Sequence, residues 1–180
     1  DVGTSTADMD YVHMETKNVT GLAGRSGDPS PVTAHGVFRA IQASAKQRWG
    51  QDDVAAKTVA LQGCGHVGYF LAKALHEAGA KLIVTDIDAE RAKRVVKEFG
   101  ARAVKPDEIY GVKADIFAPC ALGAVINDKT LEQLKVEIVQ RPELGRHHEF
   151  SHAPVCEGFS LADCDLIRAD RTDLPVTWRG

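Results

Sequence analysis

No stretch of this sequence stays apolar for the roughly 18 residues that a membrane-spanning helix needs, and no internal repeat or low-complexity tract occurs. The first residues, Asp1-Val2-Gly3-Thr4, include neither a basic region nor an apolar run, so no secretion signal is expected. Cysteine is sparse. The four present, Cys64, Cys120, Cys156 and Cys164, are irregularly spaced and form no CxxC pair, which argues against a secreted disulfide framework and for free thiols in a reducing cytoplasm. Strong charge of either sign is missing too: 22 Lys and Arg stand against 25 Asp and Glu, a net charge of −3, so no global attraction to nucleic acid or an anionic membrane is implied. An initiating Met is also lacking, and the chain starts in mid-pattern, so the expectation is an incomplete piece of a longer protein.

What is present is an ordinary globular composition, 180 residues with 44% hydrophobic and 26% charged side chains, enough for one domain with a sizeable core. Three zones differ in texture. Residues 1–30 are polar, with loop signals around Gly21, Gly24 and Ser26-Gly27-Asp28-Pro29. Residues 31–139 alternate helix and strand patterns. Residues 140–180 lose that periodicity and are rich in Arg, Asp, His and Pro, which makes them an atypical tail that is expected not to join a stable core.

In the middle zone Ser30-Pro31 looks like an N-cap followed by Pro at the first helical position. The spacing of Val37, Ile41, Ala45 and Trp49 predicts a helix to about residue 49. Residues 57–62 form a short apolar strand, 63–68 a turn, and Val67, Phe70, Leu71, Ala74, Leu75 and Ala78 recur at helical spacing up to the closing Gly79. Residues 81–85 are the next strand, ending at Asp86. A charged helix over 89–99 follows, closed by Gly100. Strands are expected at 115–118 and 136–139, with a helical turn at 130–134 between them. The order β-α-β-α-β predicts an α/β fold, a doubly wound parallel sheet with helices on both faces.

Gly63-Cys64-Gly65-His66-Val67-Gly68 fits GxGxxG, a pattern that is weak alone and strong in this context. A strand precedes it, an amphipathic helix follows, and Asp86 ends the next strand 18 residues after Gly68. Gly63 allows the tight turn, Gly65 lets the backbone approach a pyrophosphate, and Gly68 lets helix and strand pack closely. The helix N-terminus offers free N–H groups and a positive dipole end to phosphate. The whole turn, with Cys64, His66 and Val67, is therefore a candidate cofactor cradle, and Asp86 a candidate acceptor for the adenosine ribose hydroxyls. A Rossmann-type, NAD-binding domain follows. A methyltransferase could also present a glycine-rich turn, but its thioether cofactor has no phosphates to cradle. His66 is more simply a helix-capping or solvent-facing residue than a chemical one.

Several segments then resemble, in order and spacing, the Glu/Leu/Phe/Val dehydrogenases: residues 1–4, 26–34, 63–68, 84–86 and 118–123, within a similarity covering about residues 1–139. That resemblance implies oxidative deamination of a branched-chain L-amino acid to its 2-oxo acid with NAD as oxidant. It also implies homo-oligomers. The family's two substrate-site lysines lie in a preceding catalytic domain and have no counterpart to assign here, so this chain alone is expected to be inactive. Carried over residue by residue, Asp1 matches the aspartate that assists proton transfer, Thr33 the threonine near the nicotinamide carboxamide, and Cys120 and Ala121 the turn beside the nicotinamide ribose. For Cys120 a plain core role is favoured. Residues 1–30 then read as catalytic-domain remnant and hinge, and 31–139 as the NAD-binding domain. The tail from Gln140 departs from the family, as a frameshift would cause. His147, His148, His152, Cys156 and Cys164 match no usual zinc spacing, so no metal is expected. The rival function is a non-catalytic NAD-binding or regulatory module.

Overall fold

The computed structural model describes residues 3–123 and 125–140. Asp1, the histidines and cysteines beyond residue 140, and the expected tail apart from Gln140, which is buried with its amide donating to the Phe117 carbonyl at 2.9 Å, lie outside the described residues. The elements run α1 (Thr6–Glu15), α2 (Ser30–Trp49), β1 (Thr58–Gln62), α3 (His66–Glu77), β2 (Lys81–Thr85), α4 (Ala89–Phe99), β3 (Arg102–Ala103), a 3-10 turn (Ile109–Gly111), β4 (Ile116–Pro119), α5 (Asp128–Leu131) and β5 (Ile138–Val139). All strands are parallel, in the order β3-β2-β1-β4-β5.

The sheet is buried on both faces, so its central strands are continuous apolar runs rather than alternating ones. Val59, Leu61, Leu82, Val84, Ile116, Ala118 and Ile138 point to one side, where Ile41 of α2, Leu71 and Leu75 of α3 and Val95 of α4 meet them. Ala60, Ile83, Phe117 and Val139 point to the other, against Ile109, Ile126 and Val136. The two sides are covered unequally. Three long helices lie on the first; on the second, among the described residues, the 3-10 turn and the segment around α5 do the covering. No described helix is long and apolar enough to cross a membrane.

Local chemistry explains where the elements begin and end. Gly79, in the left-handed region at φ 79°, closes α3 as its spacing predicts, its N–H reaching the His76 carbonyl while Ala80 reaches Leu75. Gly100 does the same for α4. The start of α2 differs from expectation by one residue: Pro29 is the cap and Ser30 already helical. Ser30 does not cap because its hydroxyl donates to Asp28 Oδ1 at 2.6 Å. The helical turn near residue 130 begins earlier than its periodicity suggests, because Asn127 accepts from the amides of Lys129 and Thr130 and fixes the start. Residues 3–30 also contain a helix ahead of the loop signals at residues 21–29, in a stretch that the sequence marks only as polar. No α1 residue is buried, so no apolar stripe announces it. A capping box holds it instead, the Ser5 amide donating to Asp8 Oδ2 at 2.6 Å and the Asp8 amide returning to Ser5 Oγ.

Candidate dinucleotide-binding site

In this strand order the chain reverses direction between β3 and β4, leaving β1 and β4 side by side at the switch point, where open parallel sheets take ligands at their C-terminal edge. Both strands end there in turns that touch. The Cys120 amide donates to the Gln62 carbonyl at 2.6 Å. Gly63, at φ 94°, fits only because it lacks a side chain: a Cβ there would stand 2.8 Å from the Cys120 carbonyl carbon and oxygen. A Cβ on Gly68 would meet the Gly63 carbonyl oxygen at 1.9 Å, so α3 lies against the turn as closely as backbone allows. Gly65 is different. It is the N-cap of α3 with an ordinary negative φ, and the only described atom near its absent Cβ is Arg91 Nη1 at 3.8 Å. Two glycines are required by the protein's own packing; the third leaves space above the helix start.

Asp86 closes the back of this turn. Its Oδ2 accepts from the Cys64 amide at 2.6 Å and its Oδ1 from the Asp88 amide at 2.8 Å. The Cys64 N–H is thereby committed to the carboxylate rather than offered to a phosphate. Asp88 caps α4 through the Glu90 amide and holds Arg91 Nε at 3.3 Å from its Oδ2. Beneath the turn the Gln62 side chain donates from Nε2 to the Tyr110 hydroxyl at 2.7 Å, while its buried Oε1 has no partner among the described residues.

The remaining candidates fall in distinct places. His66 is the first residue of α3, mostly exposed, with Nδ1 3.5 Å from Asp28 Oδ2. This ties the loop before α2 to the glycine turn. Bonds from the Ser30 hydroxyl and amide, with His66 beside them, hold the Asp28 carboxyl below the usual carboxylate range. Val67 is half-buried against the core. Thr33 is exposed in the first turn of α2, where its hydroxyl donates to the Pro29 carbonyl at 3.2 Å. Ala121 is exposed just past β4. The Cys64 thiol is pushed up to about 12 by burial and then by the Asp86 charge. Burial, and then Cys64, push Cys120 to about 12 as well. Both are inert thiols at neutral pH, which suits a packing role. Asp28 was not among the expected site residues, although its Asx-type bond to the Ser30 amide, 2.9 Å, is the kind of local signal that Asp-Pro-Ser carries.

A sequence profile of the glutamate/leucine/phenylalanine/valine dehydrogenases matches residues 24–92, a span that includes the turn and Asp86. The chain is 54% identical over 160 residues to leucine dehydrogenase of Thermoactinomyces intermedius, covering 87% of this chain and 44% of the relative. That stretch is longer than residues 1–139, which hold the motifs. Leucine dehydrogenase of Bacillus cereus is 56% identical over 142 residues, covering 77% of this chain and 39% of the relative. The chain belongs to the Glu/Leu/Phe/Val dehydrogenase family. Among solved structures, L-tryptophan dehydrogenase of Nostoc punctiforme superposes with a TM-score of 0.62 at 42% identity, over 63% of this chain and 34% of that one. The chain thus spans less than half the length of the curated relatives it matches.

Proposed function

We propose that this chain binds NAD across the C-terminal edge of its sheet and serves the oxidative deamination of a branched-chain L-amino acid to its 2-oxo acid, with release of ammonia. The observation that carries this reading is the glycine turn, in which Gly63 and Gly68 are packed shut and Gly65 is left open above the start of α3. That is a cradle for a phosphate-bearing ligand, and its residues fit a dinucleotide. The first N–H groups of α3 suit the pyrophosphate. Each Asp86 oxygen, already holding one amide, keeps acceptor capacity for ribose hydroxyls. Bound there, NAD would supply the acceptor for a hydride leaving the substrate's α-carbon. Residues 31–139 constitute the NAD-binding domain in this reading, and residues 1–30 lead into it. The leucine-like substrate is supported by the leucine dehydrogenases that the chain is similar to; a homo-oligomeric assembly and a cytoplasmic setting belong to the same proposal.

NAD is preferred over NADP because the Asp86 carboxylate repels a 2′-phosphate placed where a 2′-hydroxyl would bond. Two like charges about 4 Å apart near a surface repel by up to about 4 kcal/mol at an effective dielectric near 20. Calorimetric titration of both cofactors tests this, with Asp86→Asn as the informative variant because it keeps an acceptor for the Cys64 amide. We expect tighter binding of NAD to the unaltered chain, and loss of most of the discrimination in Asp86→Asn. Equal affinity for the two cofactors in the unaltered chain would overturn the assignment.

A further inference from the structure

We infer that Arg91 is a phosphate-binding residue of this site, held by Asp88 so that its guanidinium meets the pyrophosphate of the bound dinucleotide above Gly65. The inference rests on the NAD reading given above. Its basis is a chain of bonds. The Asp88 amide donates to Asp86 Oδ1 at 2.8 Å, the Asp88 carboxylate caps α4 through the Glu90 amide at 3.0 Å, and its other oxygen lies 3.3 Å from Arg91 Nε. With Nε engaged, the Nη groups are left to other partners. Nη1 lies 3.8 Å from the position a Gly65 Cβ would occupy, nearer than any other described atom outside the turn's own neighbours.

That position is the open one of the three glycines, where the backbone can approach a pyrophosphate. The turn also needs another donor. Its Cys64 amide, just before the helix, is committed to Asp86 at 2.6 Å, so the turn adds one fewer N–H to those of the helix start than a bare glycine turn would. A guanidinium supplies donors in a planar fork suited to phosphate oxygens. The neighbouring cations of α4 are committed elsewhere: Lys93 to Glu90 at 2.7 Å and Arg94 to Glu98 at 2.9 Å. A 2′-phosphate is the poorer match for Arg91, because that group would stand beside the Asp86 carboxylate.

The test is binding of NAD, NADP, ADP-ribose and adenosine to the full 180-residue chain, as unaltered protein, Arg91→Gln and Arg91→Lys, with circular dichroism to confirm folding. Arg91 is largely exposed, so both variants are expected to fold. Loss of one charge-assisted contact on an exposed side chain predicts a roughly tenfold weakening of NAD, NADP and ADP-ribose in Arg91→Gln, with adenosine unchanged and the salt dependence shallower. Arg91→Lys should recover part of the affinity. Unchanged ADP-ribose binding overturns the inference, as does an equal loss for adenosine, which would mean a distorted ribose pocket. Weakening of NADP alone would overturn it by moving the arginine to the 2′-phosphate. If the unaltered chain binds adenosine but neither NAD nor ADP-ribose, the NAD reading itself fails and takes this inference with it.

Discussion

Three glycines in one turn do three different jobs, and single added methyl groups separate them. On Gly68 a Cβ collides with the Gly63 carbonyl oxygen at 1.9 Å, a backbone atom that cannot turn aside. Overpacking of that kind costs about 1–3 kcal/mol or more, so Gly68→Ala should lower the unfolding temperature visibly. On Gly65 the same methyl meets only the tip of Arg91 at 3.8 Å and the residue's φ is ordinary. Gly65→Ala should therefore melt within a degree or two of the unaltered chain while losing affinity for NAD. Calorimetry and ligand titration on the two variants check the pair; full NAD affinity in Gly65→Ala would mean that nothing approaches that residue. The two thiols beside the turn give a second outcome. Both titrate near 12 against an ordinary value of 9.0, chiefly through burial. The thiolate is thus favoured in the unfolded chain. Their contribution to stability is complete below pH 9 and is lost as pH rises from there toward 12. Urea unfolding of the unaltered chain should decline more steeply over that window than unfolding of the Cys64→Ala, Cys120→Ala double variant. Identical decline in both would show that their surroundings do not hold the thiols protonated.

At the scale of elements, α2 joins the loop beside the glycine turn to the core of the sheet. Its loop end is tied to the turn by Asp28 and His66; its far end is tied to the start of β5 by Trp49 Nε1, which donates to Glu137 at 3.1 Å, and by Arg48 at 3.0 Å. Between them Ile41 is fully buried while Val32 of the same helix is 76% exposed. Ile41→Ala should cost about 2–5 kcal/mol by the usual cavity and transfer terms, and Val32→Ala less than about 0.5 kcal/mol. Denaturant unfolding measures both, and comparable losses would mean that the helix packs by another face. The same contrast explains what the sequence made legible. Val37, Ile41 and Ala45 repeat at four-residue spacing because they face one core, and the runs in β1 and β2 are continuous because both faces of the sheet are buried. Those elements, and the turn between β1 and α3, could be read directly. Helix α1 could not, since none of its residues is buried and it is held by the Ser5 and Asp8 cap and by the Ala23 amide donating to Asp10. β3 is two residues long, too short for any period to show. The pairing of Asp28 with His66, and the approach of Arg91 to the space above Gly65, join segments whose local patterns carry no trace of each other.

For the molecule as a whole, the site joins segments that are far apart in the chain. The turn after β1, the end of β2, the start of α4 and the turn after β4 all meet at one edge, so a ligand bound there bridges elements that must separate on unfolding. Anything that binds the folded chain and not the unfolded one raises stability by mass action, about 2.7 kcal/mol at one hundred times its dissociation constant. For a chain of this size each kcal/mol is worth roughly 2–4 °C in the unfolding midpoint, so saturating NAD should raise it by about 5–10 °C. NADP at the same concentration should raise it less, because the Asp86 carboxylate opposes the 2′-phosphate. Thermal unfolding followed by circular dichroism at rising NAD gives the measurement. Gly65→Ala supplies the control, since its fold is intact and its cradle is filled. In that variant the midpoint without ligand should hardly move and the NAD-dependent rise should shrink to a small fraction. A full rise in Gly65→Ala, or none in the unaltered chain, would place any NAD stabilisation away from the glycine turn, and the C-terminal edge of the sheet would lose its claim to be the binding site.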